Sequence, residues 1–180
     1  MKTTQLLAFL SAAGLGGAIS FPGVACKAAF DTMSSLPVHF VENIQHHACQ
    51  AGCHPSPADW SKYLKPLISG LVHDGVSYTH IEQGEEAFVT FFDRMYHDLL
   101  SKCGDKLPDH VCKKPDQLND FKSCIRANSQ SAAVRESTVL APYVSNERCR
   151  KVDDYFHNRQ LWDEDFPARV KSYVEHCPEL

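Results

Sequence analysis

Eight cysteines constrain this chain more than any other feature of its sequence. They lie at positions 26, 49, 53, 103, 112, 124, 149 and 177, all beyond the first twenty residues. An even number of cysteines in a small extracellular domain indicates a disulfide framework, so we expect four disulfides. Eight cysteines allow on the order of a hundred pairings, among which the sequence alone does not choose. Cys49 and Cys53 could instead be zinc ligands, although bridges are favoured in an oxidising compartment.

The first twenty residues have the features of a secretory signal peptide. Lys2 precedes a short apolar run, and Ala18-Ile19-Ser20 fits a small-x-small cleavage site. Cleavage there would leave residues 21–180 as a single secreted domain of ordinary size. No later stretch is long and apolar enough to predict a membrane span. We expect a secreted, extracellular and monomeric protein.

The charge of the chain limits its partners. The formal net charge is −4, and loss of Lys2 with the signal would take it to about −5. There is no basic excess or basic stripe, which argues against nucleic acid as a partner. Residues 147–159 alternate in charge sign and predict a solvated helix face.

Apolar residues recur with a helical period along almost the whole chain. The clearest helix carries Phe88, Phe92, Met95 and Leu99 at three- and four-residue spacings. A helix before it contains Pro66, at a kink or near its first turn, and we expect it to end at Gly75. Other helical segments are predicted at 24–48, with a break or kink at Pro37, and at 117–128, 130–141, 146–160 and 165–176. Few alternating runs predict strands, so the expected fold is all-α.

His73-Asp74 and Asp93 are the strongest candidates for chemistry. His73-Asp74 falls near the end of one predicted helix and Asp93 lies on the next, where an antiparallel return would bring it back. A histidine oriented by a carboxylate is a general base able to activate water. The alternatives are a capping pair at a helix end for His73-Asp74, and for Asp93 a solvated face or a pair with His97 at i, i+4.

Residues 51–135 carry a series of short motifs that agree with one family. In chain order they are Gly52-Cys53, Pro57-Ala58-Asp59, Pro66, His73-Asp74, Tyr78, Asp93, Tyr96, Asp98-Leu99, Cys103, Cys124 and Ala132-Ala133-Val134-Arg135. This series resembles the small secreted phospholipase A2 enzymes of bacteria and filamentous fungi. The resemblance covers about half of the chain that would remain after signal cleavage.

The resemblance implies a disulfide-stapled helical domain with two antiparallel core helices that carry His73 and Asp93. It implies calcium-dependent hydrolysis of the sn-2 ester of glycerophospholipids at a membrane surface. His73 would be the general base and Asp93 would orient its ring. Asp74 and backbone carbonyls near Gly52 would bind Ca²⁺, which would polarise the ester carbonyl. A bridge between Cys103 and Cys112 is also implied.

Two departures from the family pattern favour a second hypothesis. The family cysteine three residues before the histidine is Gly70 here, so Cys53 must pair elsewhere, such as with a cysteine outside the matched region. The family's calcium-loop aspartate is Ala51, which removes an anionic ligand. These changes, with the additional cysteines, are consistent with a non-enzymatic secreted binding or effector protein.

The chain is also rich in histidine, with ten in 180 residues. His46, His47 and His54 form the basis of a third hypothesis, a zinc or copper site. No HExxH motif is present, so scattered surface histidines are the favoured interpretation of these residues.

Overall fold

The computed structural model describes residues 23–55, 62, 64–109 and 111–177, so the predicted signal peptide lies outside the described residues. Within these ranges the chain forms six α-helices and no β-strand, which confirms the all-α prediction. The helices are α1 (Val24–Gln50), α2 (Lys65–Thr79), α3 (Glu85–Cys103), α4 (Pro115–Glu136), α5 (Asn146–Phe156) and α6 (Phe166–His176). None of the helices in this part of the chain is long and apolar enough to cross a bilayer.

The long first helix, α1, continues through Pro37, where the sequence predicts a break or kink. Its buried face includes Phe30, Met33 and Phe40, which belong to the main hydrophobic core. The helix ends in a turn in which Gly52 has φ 80°, a conformation that glycine adopts without steric cost. The Cys53 amide closes this turn by donating to the Ala48 carbonyl at 2.9 Å.

α2 and α3 are antiparallel, as predicted, and two ion pairs define their register. Lys65 Nζ lies 3.1 Å from Asp93 Oδ1, and His73 Nδ1 lies 3.1 Å from Glu85 Oε2. Pro66 stands in the first turn of α2, where its missing N–H leaves no hydrogen bond unmade. The prediction that α2 ends at Gly75 is wrong, because α2 continues to Thr79. Gly75 lies inside the helix, where the ring of Tyr155 leaves little room for a Cβ atom.

In the second half of the chain, α4 is longer and α5 is shorter than the sequence predicts. The break expected near Ser129 is absent, because α4 spans Pro115–Glu136 and the Ser129 hydroxyl donates to the Ile125 carbonyl at 2.7 Å. Ser145 caps the start of α5, because its side chain accepts a hydrogen bond from the Arg148 amide. α6 begins one residue after its predicted start at 165, with Pro167 in its first turn. The solvated face expected in this region is present, because Glu147, Arg150 and Asp154 are exposed, while Cys149, Val152 and Tyr155 form the buried face of the same helix.

All eight cysteines are paired, which confirms the expectation of four disulfides. The pairs are Cys26–Cys149, Cys49–Cys112, Cys53–Cys177 and Cys103–Cys124. Cys49 and Cys53 therefore belong to two separate bridges. Cys53 pairs with a cysteine outside residues 51–135, as the substitution at Gly70 led us to expect.

The Cys103–Cys112 bridge implied by the family resemblance is wrong. Cys103 ends α3 and faces Cys124 on α4, with the two Cα atoms 5.8 Å apart. Cys112 lies beside the end of α1, 5.5 Å from Cys49 between Cα atoms. The packing of α3 against α4 and of α1 against the segment before α4 decides this pairing, and sequence separation does not.

Candidate functional site

His73 lies on an exposed face of α2 and pairs with Glu85, the first residue of α3. The distance from His73 Nδ1 to Glu85 Oε2 is 3.1 Å, and the histidine side chain is 64% exposed. A carboxylate on one ring nitrogen leaves the other nitrogen for a proton from water. The carboxylate beside His73 is therefore that of Glu85, a partner that the sequence did not indicate.

Asp93 lies further along α3 and forms other ion pairs. Its Oδ1 atom is 3.1 Å from Lys65 Nζ and 3.9 Å from His97 Nε2. The pairing with His97 at i, i+4 was one of the alternatives considered for this residue. Eight residues separate Glu85 from Asp93, which corresponds to about 12 Å along the helix. The structure therefore does not bring His73 and Asp93 together.

Asp74, the predicted calcium ligand, forms an ion pair with Arg169 of α6. Gly70 makes room for this contact, because a Cβ atom at that position would collide with the Arg169 guanidinium. A carboxylate held by a guanidinium is already charge-compensated. The departure at Gly70 thus has a structural role, since it opens the path by which Arg169 reaches Asp74.

The predicted calcium ligands, Asp74 and the Gly52 backbone, lie near different ends of α6. Asp74 contacts Arg169, whereas Gly52 precedes the Cys53–Cys177 bridge at the end of α6. The two points are eight residues apart, or about 12 Å along the helix axis. Among the described residues there is no group of three or more His, Cys, Asp or Glu side chains placed to hold a metal ion. Calcium binding by Asp74 and Gly52 stays a prediction.

Two of the clustered histidines lie next to each other at the end of α1. The rings of His46 and His47 are 5.0 Å apart between centroids, and His46 Nε2 lies 3.2 Å from Gln50 Nε2. Burial, and then the neighbouring His46, lower the pKa of His47 below its usual value. A lowered pKa favours the neutral ring, which is also the form that binds metals, but neither contact supplies a further metal ligand.

Tyr155 fixes α5 against α2. Its buried hydroxyl donates to the Leu71 carbonyl at 3.0 Å, and its ring lies where a Cβ atom on Gly75 would stand 2.9 Å away. Burial, and then the negative charge of Asp74, raise the pKa of Tyr155 well above its usual value. This residue is a packing contact that helps to place Asp74.

The feature that the sequence did not predict is an apolar space between the helices, partly open to the surface, which we call the central cavity. It has a volume of about 150 Å³ and is lined by residues of α1, α2, α3 and α4, together with Pro55, Leu64, Leu107 and Val111. Of the eighteen described residues that line it, sixteen are apolar, and Gln45 and Tyr96 are the exceptions. Its walls include Phe40, Val41, Ile68, Met95, Leu118 and Ile125.

The sequence contained a signal for part of this cavity. Phe92, Met95 and Leu99 form the helical stripe that predicts a core-facing side of α3, and all three line the cavity. Periodicity shows that a residue faces inward, but it does not show whether neighbouring helices fill the space opposite. That depends on the distances between α1, α3 and α4.

Fold and site together define a disulfide-stapled, all-α domain with a partly open apolar cavity between its helices. No family model, no curated protein and no solved structure matches this chain.

Proposed function

We propose that this protein binds a small, uncharged apolar molecule in the central cavity. The observation that carries the proposal is the cavity itself, about 150 Å³ lined almost entirely by apolar side chains. Apolar pockets with few polar groups are the usual form of small-molecule sites. This is the binding-protein hypothesis raised by the substitutions at Gly70 and Ala51, now with a site and a class of ligand.

The walls of the cavity determine which molecules suit it. A dry apolar cavity of about this volume accepts a molecule of the size of benzene. A hydroxyl or charged group placed against Ile68, Leu118 or Ile125 would lose its hydrogen bonds to water without replacement. The ligand class is therefore a single aromatic ring or a short hydrocarbon segment. The four disulfides suit an oxidising compartment, which supports action outside the cell.

Phospholipid hydrolysis is the second candidate function, favoured by the His73–Glu85 pair. In this version His73 is the general base and Glu85 takes the orienting role that the sequence gave to Asp93. His73 lies away from the central cavity and is not among its lining residues. Calcium would have to be bound by Asp74 in competition with Arg169.

Toluene and phenol distinguish a dry apolar site from a general affinity for aromatic compounds. The two molecules have similar size, but only phenol carries a hydroxyl, so we expect toluene to bind at least about tenfold more tightly. At ten times its dissociation constant, toluene should stabilise the fold by about 1.4 kcal/mol. For a chain of this length that corresponds to a rise in Tm of about 3–6 °C.

Val41→Phe is the variant that tests the location of the site. Val41 is half-buried and lines the central cavity, so a phenyl ring there should occupy the space and abolish the toluene-dependent shift. Val89→Phe is the matched control, because Val89 is also half-buried but does not line the cavity. Equal binding of toluene by both variants, or equal binding of toluene and phenol by the wild type, would refute the proposal.

The hydrolase candidate is tested separately with phosphatidylcholine vesicles. Fatty-acid release would be measured in Ca²⁺ and in chelator, for the wild type and for His73→Ala. Calcium-dependent release that disappears in the variant would establish phospholipase activity. Absence of release from the folded, oxidised protein would reject it and leave the binding proposal unaffected.

A further inference from the structure

A second cavity lies against the same face of α1, nearer the start of the helix, and it differs from the central cavity in that its described lining includes one charged residue. Its volume is about 430 Å³, within the range of about 300–1,000 Å³ that is usual for small-molecule sites. It is bounded by the start of α1, the start of α3, residues 137–144 and α5. Apolar side chains form most of its surface, including Phe30, Met33, Phe88 and Leu140. We call it the Arg148 pocket, because Arg148 is the only charged residue among its described lining residues.

Arg148 is half-buried in the wall of this pocket. No carboxylate of the described residues lies within ion-pair distance of its guanidinium, and two of the three acids on the same helix are engaged elsewhere. Glu147 pairs with Lys151, and Asp153 accepts a hydrogen bond from Thr32 at 2.6 Å. A guanidinium without a carboxylate partner at the edge of an apolar surface can form a charge-assisted hydrogen-bonded pair with an anionic ligand.

The donors of Arg148 determine which anion fits. A guanidinium presents a planar fork of N–H groups that binds a carboxylate through two parallel hydrogen bonds. The hydroxyl of Ser137, which also lines the pocket, donates to the Val134 carbonyl at 2.9 Å. Its proton is therefore in use, and the guanidinium is the one charged donor that the described lining residues offer to a ligand head group.

We propose that the Arg148 pocket binds an amphipathic carboxylate of the medium-chain fatty-acid class. The carboxylate pairs with Arg148, and the hydrocarbon chain lies against Phe30, Met33 and Phe88. The site goes beyond the proposed function, because it is a different cavity and selects a charged ligand that the central cavity excludes.

Decanoate, decan-1-ol and decyltrimethylammonium test this selection, since they share a chain length and differ in head group. Binding would be measured by isothermal titration calorimetry on the oxidised protein, below the micelle concentration of each compound. We expect decanoate to bind about ten- to a hundredfold more tightly than decan-1-ol, as for a charge-assisted hydrogen-bonded pair. Decyltrimethylammonium should bind most weakly, because its cation meets that of Arg148.

Substitutions at Arg148 test the assignment of the charge. Arg148→Gln should reduce decanoate affinity to that of decan-1-ol, and Arg148→Lys should retain part of the difference. Arg150→Gln is the matched control, because Arg150 is on the same helix, is exposed and does not line the pocket. Ala141→Trp tests the space itself, since Ala141 is exposed and lines the pocket, so the indole should weaken binding of both decanoate and decan-1-ol.

The outcomes distinguish this site from the central cavity. Val41→Phe should leave decanoate binding unchanged, and Arg148→Gln should leave toluene binding unchanged. Equal affinity of the wild type for decanoate and decan-1-ol would overturn the proposal. So would an Arg148→Gln variant that binds decanoate as tightly as the Arg150→Gln control.

Discussion

Gly75→Ala is the substitution whose effect follows most directly from the packing of α2 against α5. A Cβ atom at position 75 would stand 2.9 Å from one ring carbon of Tyr155 and 3.2 Å from another. Tyr155 is 7% exposed, and its hydroxyl is bonded to the Leu71 carbonyl. The ring also contacts Phe156, with centroids 5.1 Å apart. The ring has little room to move, so the added methyl group must displace the helix or break this hydrogen bond.

Two opposing contributions determine the size of the effect. Alanine is favoured over glycine inside a helix by about 1 kcal/mol. Overpacking a buried contact costs about 1–3 kcal/mol, and the fixed position of Tyr155 places this case at the upper end of that range. We therefore expect Gly75→Ala to lower the free energy of unfolding by about 1–2 kcal/mol. Helix propensity alone would predict the opposite sign.

Urea denaturation followed by circular dichroism at 222 nm would measure this difference. Gly70→Ala is the matched control in the same helix, because its Cβ atom would meet only the end of the Arg169 side chain, which is partly exposed and flexible. Loss of that ion pair is worth about 0–1 kcal/mol, which offsets the gain in propensity. The control should remain within about 0.5 kcal/mol of the wild type. A Gly75→Ala variant as stable as the wild type would refute the packing argument.

Two further predictions concern stability. Burial raises the pKa of Tyr155 in the folded protein above its ordinary value of 10.0, so its contribution to stability should be complete below about pH 10 and should decline as the pH rises further. In the Tyr155→Phe variant, the free energy of unfolding measured in urea should therefore decline less at alkaline pH. An unchanged pH profile would contradict the assignment of this decline to Tyr155. The stability lost when a disulfide is removed should depend on the length of the loop that it closes. Cys53 and Cys177 are 124 residues apart, and Cys103 and Cys124 are 21 residues apart. Replacing the first pair by serine should cost about 1.5 kcal/mol more than replacing the second, and equal losses of thermal stability would count against a chain-entropy origin.

The sequence predicted the helices better than their ends. The stripe from Phe88 to Leu99 identified α3, and Pro66 and Pro167 marked the first turns of α2 and α6. Gly75 was misjudged, because a glycine inside a helix and a glycine at its end look alike in sequence. Packing against Tyr155, eighty residues away in the chain, decides between them.

The candidate site was predicted less well, and the register of α2 and α3 is the reason. The prediction that the two helices are antiparallel is confirmed, but an antiparallel pair can slide along its axis without any change in hydrophobic pattern. The observed register places Glu85 beside His73 and Lys65 beside Asp93. The choice depends on contacts with α5, α4 and the disulfides, which no local motif encodes.

The sequence by itself therefore determined the all-α class, the presence of four disulfides and most of the inward-facing residues. These properties follow from residue counts and from the period of apolar side chains, which are local. The tertiary structure alone decided which cysteines pair, which carboxylate meets His73, and where space remains between helices. Each of these depends on the distance between residues far apart in sequence, and that distance is set by the packing of all six helices together.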